Sequence, residues 1–390
     1  MNCSRKFESI YRKSPEDIAF CPYRVCPVGA HVDHQYGKVT GFAIDRGIHI
    51  AYSTKLNGIV ELASLQFDKR AQWHVRDVFK TRRGDWADYL RGATIELAKH
   101  YPLRNGISGV IEGTLPIGGL SSSAAVTIAF LSAICRVNDL HPSQQELIEM
   151  ALLAEVNYVG VSVGKLDQSC EVFSRKNHLL FLDTQDDSYE LIPAPAQMQP
   201  WKIGIFFSGL ERNLTGSKYN MRVDEVRSAA YALKAYAGME YGKFRETHLR
   251  EVPREVFEQY KDRLPDTWRR RAEHFYGESD RVEKAAQAWR AGDMALLGRI
   301  STQSGLSSIH NWEAGSDELK TLSEIIIRQD GVYGGRFSGA GFKGWCMALI
   351  DPAYEETIAA GVRQAYLAAF PALADKYLYC GCETADGVSL

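Results

Sequence analysis

Leu115-Pro116-Ile117-Gly118-Gly119-Leu120-Ser121-Ser122-Ser123 separates two segments of opposite periodicity. Before it, Ile107-Ser108-Gly109-Val110-Ile111-Glu112-Gly113-Thr114 reads as a strand. After it, Ala124 to Ile134 is almost wholly apolar, and a helix that is hydrophobic all round is a buried one. A flexible loop opening directly into a buried helix presents unpaired N–H groups and the positive dipole end at its mouth. Small residues allow close approach of an anion, and three consecutive hydroxyls can bond its oxygens or a hard cation. The same residues would equally make a Ser-capped helix packed by small side chains. Spacing alone leaves both readings open.

Working outward, residues 18–65 alternate and are rich in β-branched and aromatic side chains, which predicts strands joined by Gly and Asp turns. Trp86, Tyr89, Leu90, Ala93 and Leu97 recur at helical spacing. Ser143 with Glu146 three residues on is a capping-box pattern and opens a helix predicted over 143–159. Strand-like runs at 179–183 and 202–208 flank the proline-rich segment 193–200, the expected domain boundary. Helical periodicity dominates 222–330. Strand, helix and strand follow near 345–350, 353–368 and 376–382. The expectation is an α+β protein of two domains, 1–195 and 196–390.

Composition narrows the function. Of 390 residues, 45% are hydrophobic and 24% charged, with a formal net charge of −2. That balance is globular and carries no basic excess for nucleic acid or an anionic membrane. No apolar run approaches the ~20 residues that span a bilayer, and the first residues do not resemble a signal peptide. The expected protein is cytoplasmic, a monomer or homodimer, with small-molecule substrates and no nucleic-acid or membrane partner. The eight cysteines form no paired CxxC units, which argues against structural zinc. His31-Val32-Asp33-His34 lacks a third ligand at suitable spacing. Gly160 to Leu166 approximates a P-loop but is one residue short, with no hydroxyl after Lys165. Gly339-Ala340-Gly341-Phe342-Lys343-Gly344 matches GxGxxG, yet a strand follows it rather than a helix, so it reads as a tight loop approaching a ligand or another loop.

Together these pieces resemble the GHMP kinase superfamily, whose Pro-x-x-x-Gly-Leu-Ser-Ser-Ser-Ala motif is found at Pro116 to Ala124. The loop Phe337 to Gly344 resembles its C-terminal motif. The galactokinase branch is narrower still: Pro22 to Gly37 stands in place of its N-terminal signature, and Gly164-Lys165-Leu166-Asp167-Gln168 resembles its GIMDQ run. Gly216-Ser217-Lys218-Tyr219-Asn220 is similar to its sugar-contacting segment, and Arg271-Ala272-Glu273-His274 with Glu278 and Arg281 to its RAxH helix. The resemblance implies a GHMP kinase fold with the active site in the cleft between the domains. It implies Asp167 as the base for an anomeric hydroxyl and Arg24 as the group stabilising the nucleophile. It implies ATP held by Gly118, Gly119, Leu120, Ser121, Ser122 and Ser123, Mg²⁺ on Ser123, and Trp86 beside the adenine. Ala30, His31, Asp33, Gly164 and Tyr219 would meet the sugar.

Two departures carry information. Where galactokinases have a Glu that bonds the C6 hydroxyl, this chain has Ala30, which removes a negative charge and opens space for a C6 carboxylate. Cys21 to Gln35 fits the CPYRxCPxGAHxDHQ signature of the galacturonokinase branch. The implied activity is ATP-dependent phosphorylation of the C1 hydroxyl of D-galacturonate. Galactokinase or glucuronate kinase is the alternative, and a non-catalytic sugar and ATP sensor a distant one. Lys165, Arg212, Lys218, Arg222 and Arg336 are candidate partners for the carboxylate. Asn157 is taken to stand where galactokinases place a metal-ligating Glu. Glu155, about 200° away on an ideal helix, is expected to face elsewhere.

Overall fold

The computed structural model describes residues 2–211 and 218–389. Arg212, Gly216 and Ser217 lie outside the described residues. In chain order the elements are α1 Cys3–Tyr11, β1 Asp17–Val25, β2 Lys38–Lys55, β3 Ile59–Ser64, β4 Ala71–His74, α2 Asp88–His100, β5 Gly106–Gly113, α3 Ser122–Val137 and α4 Gln144–Leu153. A π-helical turn, Ala154–Val159, leads toward α5 Leu166–Phe173, β6 His178–Asp183 and β7 Tyr189–Pro193. The second half comprises β8 Lys202–Phe207, α6 Tyr219–Tyr236, α7 Arg254–Tyr260, α8 Asp266–Ala291, α9 Met294–His310, α10 Asp317–Ile327, β9 Val332–Phe337, β10 Trp345–Ile350, α11 Glu355–Ala369, β11 Leu378–Cys382 and β12 Thr384–Ala385.

The first sheet runs β4-β3-β5-β2-β6-β7, with β1 and β12 also on β2. β2 has 18 residues because it changes partner along its length: β6 opposite 38–41, β1 opposite 42–52 and β5 opposite 48–55. The second sheet, β11-β8-β10-β9, is antiparallel throughout. β12 returns to the first sheet, setting Thr384 opposite Ile44.

The apolar run after the serines becomes α3, and Ile128, Phe130, Leu131 and Ile134 on it are fully buried. At ~1.5–3 kcal/mol for each such side chain, that burial fixes the axis of α3 and hence where its first turn points. The buried side chains of both halves form one contiguous cluster. Ser143 and Glu146 make the expected capping box on α4, but the α-helix does not reach 159. Its last turn widens into the π-helix, with the Gly160 N–H donating to the Glu155 carbonyl at 2.9 Å. The sequence pattern did not single out α1, β4, α5, β7, β9 or β12.

Candidate active site

Arg24 leaves the end of β1 and Asp167 stands in the first turn of α5. The Arg24 Nε and Nη2 lie 2.7 and 2.6 Å from Asp167 Oδ1. Among the described residues no bond falls on Oδ2, which leaves that oxygen to accept a proton. The Arg24 side chain is 4% exposed and that of Asp167 is 25% exposed, so the carboxylate faces the cavity and the guanidinium backs it. Burial opposes the Arg24 charge, but the Asp167 carboxylate outweighs it and the pKa lies above the ordinary value. Arg24 Nη1 also donates to the Gly119 carbonyl at 3.1 Å. One buried cation therefore ties the Asp167 carboxylate to the glycine loop.

That loop ends at Ser121, which adopts φ 67° and makes no side-chain cap on α3. A left-handed non-glycine residue is strained, and here the strain leaves the first N–H groups of α3 without the usual side-chain acceptor. Ser122 and Ser123 follow, and both line the cavity. The loop's outer side meets the Gly339–Gly344 loop, backbone against backbone. A Cβ on Gly119 (φ 80°) would stand 2.7 Å from the Ser338 carbonyl oxygen, and one on Gly339 2.6 Å from the Gly119 Cα. The GxGxxG segment is thus the tight loop expected, and a strand, β10, follows it.

Ala30, His31, Asp33, Gly164 and Tyr219 line the same cavity as Arg24 and Asp167. Asp33 Oδ2 accepts from the Leu166 N–H at 3.2 Å. A Cβ on Gly164 would fall 2.5 Å from the Asp33 carboxyl, so only glycine lets that carboxyl lie against the chain. Burial, then the neighbouring Asp167 charge, raises the Asp33 pKa to about 6. His31 donates from Nε2 to the Gly339 carbonyl at 3.0 Å, which places its proton on Nε2. Burial, reinforced by His274, drives its pKa well below the ordinary value, so the ring is neutral.

The structure corrects one expectation. Asn157 turns away, with its Nδ2 3.4 Å from Glu96 Oε1. Glu155 is the buried residue that lines the cavity, and it accepts from Gln168 Nε2 at 2.9 Å. The two lie on different faces, as helical spacing implies; it was the resemblance that set Asn157 rather than Glu155 toward the cavity. Tyr89, Ile117, Val163 and Ala340 also line the cavity and were missed. Tyr89 stands in a helical stripe that reads simply as core. Leu120 is buried and does not line the cavity; its carbonyl supports the Arg24 N–H at 3.4 Å.

Trp86 lines a second, largely apolar cavity with Phe67, Ile48, Ile111 and Val126, which shares Tyr89, Ile117, Ser122 and Ser123 with the first. The Trp86 and Phe67 rings are parallel within 4° at 6.0 Å. None of the candidate basic residues among those described lines the main cavity. Lys165 pairs with Asp187 at 2.6 Å, Arg222 with Glu225 and Glu313, and Arg336 is buried against Ser304 and Ser308. Lys218 is exposed. No three His, Cys, Asp or Glu side chains gather as a metal cage among the described residues, and no helix there is long and apolar enough to cross a membrane.

A carboxylate on a buried arginine, a glycine–serine loop opening a buried helix and an adjoining apolar slot are parts that a nucleotide-dependent phosphotransferase needs. Comparison with known proteins agrees. The family model for the GHMP kinases N terminal domain matches residues 88–175, and that for the galactokinase galactose-binding signature matches 5–54. The chain is 36% identical to a galacturonokinase of Arabidopsis thaliana, over 92% of this chain and 88% of that one. It is 31% identical to a galactokinase of Chloroflexus aurantiacus, over 92% and 90%. The crystal structure of Lactococcus lactis galactokinase complexed with galactose superposes with a TM-score of 0.89 at 26% identity, covering 99% of this chain and 98% of that one. A Methanococcus jannaschii mevalonate kinase shares the fold at a TM-score of 0.67 and 15% identity, over 96% and 100%. The chain belongs to the galactokinase branch of the GHMP kinases. It is a sugar 1-kinase with the α+β fold of that family, and ATP is the family's co-substrate.

Proposed function

We propose that this chain transfers the γ-phosphoryl group of ATP to the C1 hydroxyl of D-galacturonate. The observation that carries the choice of sugar is Ala30. It lines the cavity with a methyl group where the resemblance to galactokinases implies a Glu, and the similarity to a galacturonokinase supports the same reading. Galactose is the second reading, favoured by the likeness to the galactose-bound Lactococcus lactis enzyme.

Asp167 Oδ2 takes the proton of the C1 hydroxyl, and the resulting oxygen attacks the γ-phosphorus while the bond to the β–γ bridging oxygen breaks. Arg24 holds the base in place and places positive charge beside the developing oxyanion. The N-terminus of α3 and the Gly118–Ser123 loop receive the phosphates, and the slot between Trp86 and Phe67 receives the adenine. The donor set suits a hard cation: Ser123 offers a hydroxyl and Glu155 a carboxylate, and Mg²⁺ commonly takes one or two carboxylates plus phosphate oxygens and water. When bound, Mg²⁺ would neutralise charge on the phosphates. Residues from both halves line one cavity, so we place the reaction in a cleft between domains 1–195 and 196–390, with β12 crossing back to the first.

ADP release from Mg-ATP with galacturonate, galactose and glucuronate, measured side by side, tests the assignment. Preference for galacturonate is the expected result, and preference for galactose overturns the choice of sugar while leaving the class. Glu155→Gln is expected to raise the Mg²⁺ concentration needed for half-maximal rate by about tenfold, in the range seen when a metal site loses a supporting carboxylate. An unchanged Mg²⁺ requirement in that variant removes Glu155 from the metal site.

A further inference from the structure

The cavity presents a chemical problem for an anionic sugar. Arg24 is the one Lys or Arg among the described residues lining it, and its N–H groups are given to Asp167 and Gly119. Among the described residues, the groups left to meet a carboxylate entering beside Ala30 are neutral donors, and a carboxylate that accepts several N–H bonds is well held without a cation.

Two such donors stand one ring behind the lining: Trp312 and His34 do not themselves line the cavity, but His31 and Tyr219, which do, pack against them. The indole of Trp312 is 1% exposed, and the His31 ring lies flat on it at 5.1 Å and 8°. His34 meets the same indole at 5.4 Å. Tyr219, which lines the cavity, lies 6.1 Å from His34 and 6.4 Å from Trp312. Trp312 Nε1 is buried with no hydrogen-bond partner among the described residues, and so are His34 Nε2 and His31 Nδ1.

The proton positions follow from the neighbours. The Leu249 N–H donates to Gln35 Oε1 at 3.0 Å, which fixes the orientation of that amide. Its Nε2 then faces His34 Nδ1 at 3.3 Å as the donor, so the His34 proton sits on Nε2. Burial, then the positive Arg227, pushes the His34 pKa down to about 3. The ring is a neutral donor. Trp312 Nε1 and His34 Nε2 are thus two buried, unsatisfied N–H groups on touching rings, and such groups are costly to leave unmade.

Building on the assignment of galacturonate as the acceptor, we propose that Trp312 Nε1–H and His34 Nε2–H bind the C6 carboxylate and set the preference for a uronate over a neutral hexose. His31, with its lone pair on Nδ1, accepts a sugar hydroxyl between them. The chemistry that selects the anion is then a pair of neutral donors, and none of the four described basic residues singled out in the sequence lines the cavity.

The test is kcat/KM for galacturonate and for galactose in the wild type, Trp312→Phe, His34→Leu and His34→Gln, each checked for folding by its thermal melt. The ratio of galacturonate to galactose is expected to fall at least tenfold in Trp312→Phe and His34→Leu, through the galacturonate KM. His34→Gln, whose amide nitrogen replaces the Nε2 donor, is expected to keep the ratio within about threefold. An unmoved ratio, or equal losses on both sugars, overturns the inference and leaves the cluster as packing or as the seat of a buried water. Should Trp312→Phe not fold, the contrast between the two His34 variants decides. A wild type that ignores galacturonate overturns the functional reading and this inference together. A wild type that prefers it, with the ratio unmoved in the variants, overturns the inference alone.

Discussion

Replacing Asp167 by Asn is expected to lower kcat by on the order of 10³–10⁴ while the KM for sugar and the melting temperature change little. The first figure is the usual contribution of a positioned general base. Asn is the informative choice because its amide oxygen still accepts from Arg24 Nε and Nη2, as Asp167 Oδ1 does at 2.7 and 2.6 Å. Alanine would instead strand a guanidinium that is 4% exposed, and removing one partner of a buried pair costs about 3–5 kcal/mol. A loss of rate in the alanine variant would therefore mix folding with chemistry. Steady-state rates with saturating Mg-ATP, alongside a thermal melt, separate the two. A variant turning over at the wild-type rate would remove Asp167 from the role of base.

Ala30→Glu is expected to lower kcat/KM for galacturonate by about a thousandfold and to raise it for galactose. The backbone here is clamped from behind. Glu278 Oε2 accepts from the Gly29 N–H at 2.7 Å and His274 Nε2 donates to the Ala30 carbonyl at 3.0 Å. The flanking Gly29 and His31 hold φ of 99° and 64°. A new side chain at 30 therefore leaves from the same point and in the same direction as the present methyl. Two carboxylates ~4 Å apart at an effective dielectric of ~20 repel by about 4 kcal/mol, close to a thousandfold in affinity. Galactose, with a hydroxyl at C6, would gain an acceptor instead. A variant that still favours galacturonate tenfold or more refutes this account of C6.

Much of this site is written in the order of the residues. The glycine–serine loop before an apolar helix was legible as a local pattern with two open readings, whereas Asp167 and Arg24 were singled out only through the resemblance to the family's motifs. The second glycine loop was legible as a local pattern too, since its following strand excluded a dinucleotide fold. Glu155 was not legible, because the resemblance pointed to Asn157, and which face of that helical turn meets the cavity is decided by packing. Neither was the cluster around Trp312, since an unsatisfied indole N–H is a property of what surrounds it. Trp312, His34 and Tyr219 are distant in the chain and meet through α6 and the loop after α9. The basic residues near the motifs were misleading for the same reason. Their partners, such as Asp187 for Lys165 and Glu313 for Arg222, are chosen by the fold.

The return of the chain at β12 has a mechanical meaning. The polypeptide passes from the first sheet to the second after β7 and comes back through Glu383, whose carbonyl accepts from the Asp45 N–H at 3.0 Å and whose own N–H donates to Asp45 Oδ1 at 3.1 Å. Two sheets joined by a single tether could swing and twist freely. Joined at two crossings, and by an apolar core continuous across both halves, they are braced against one another, so the second crossing works as a strut that resists twist between the sheets.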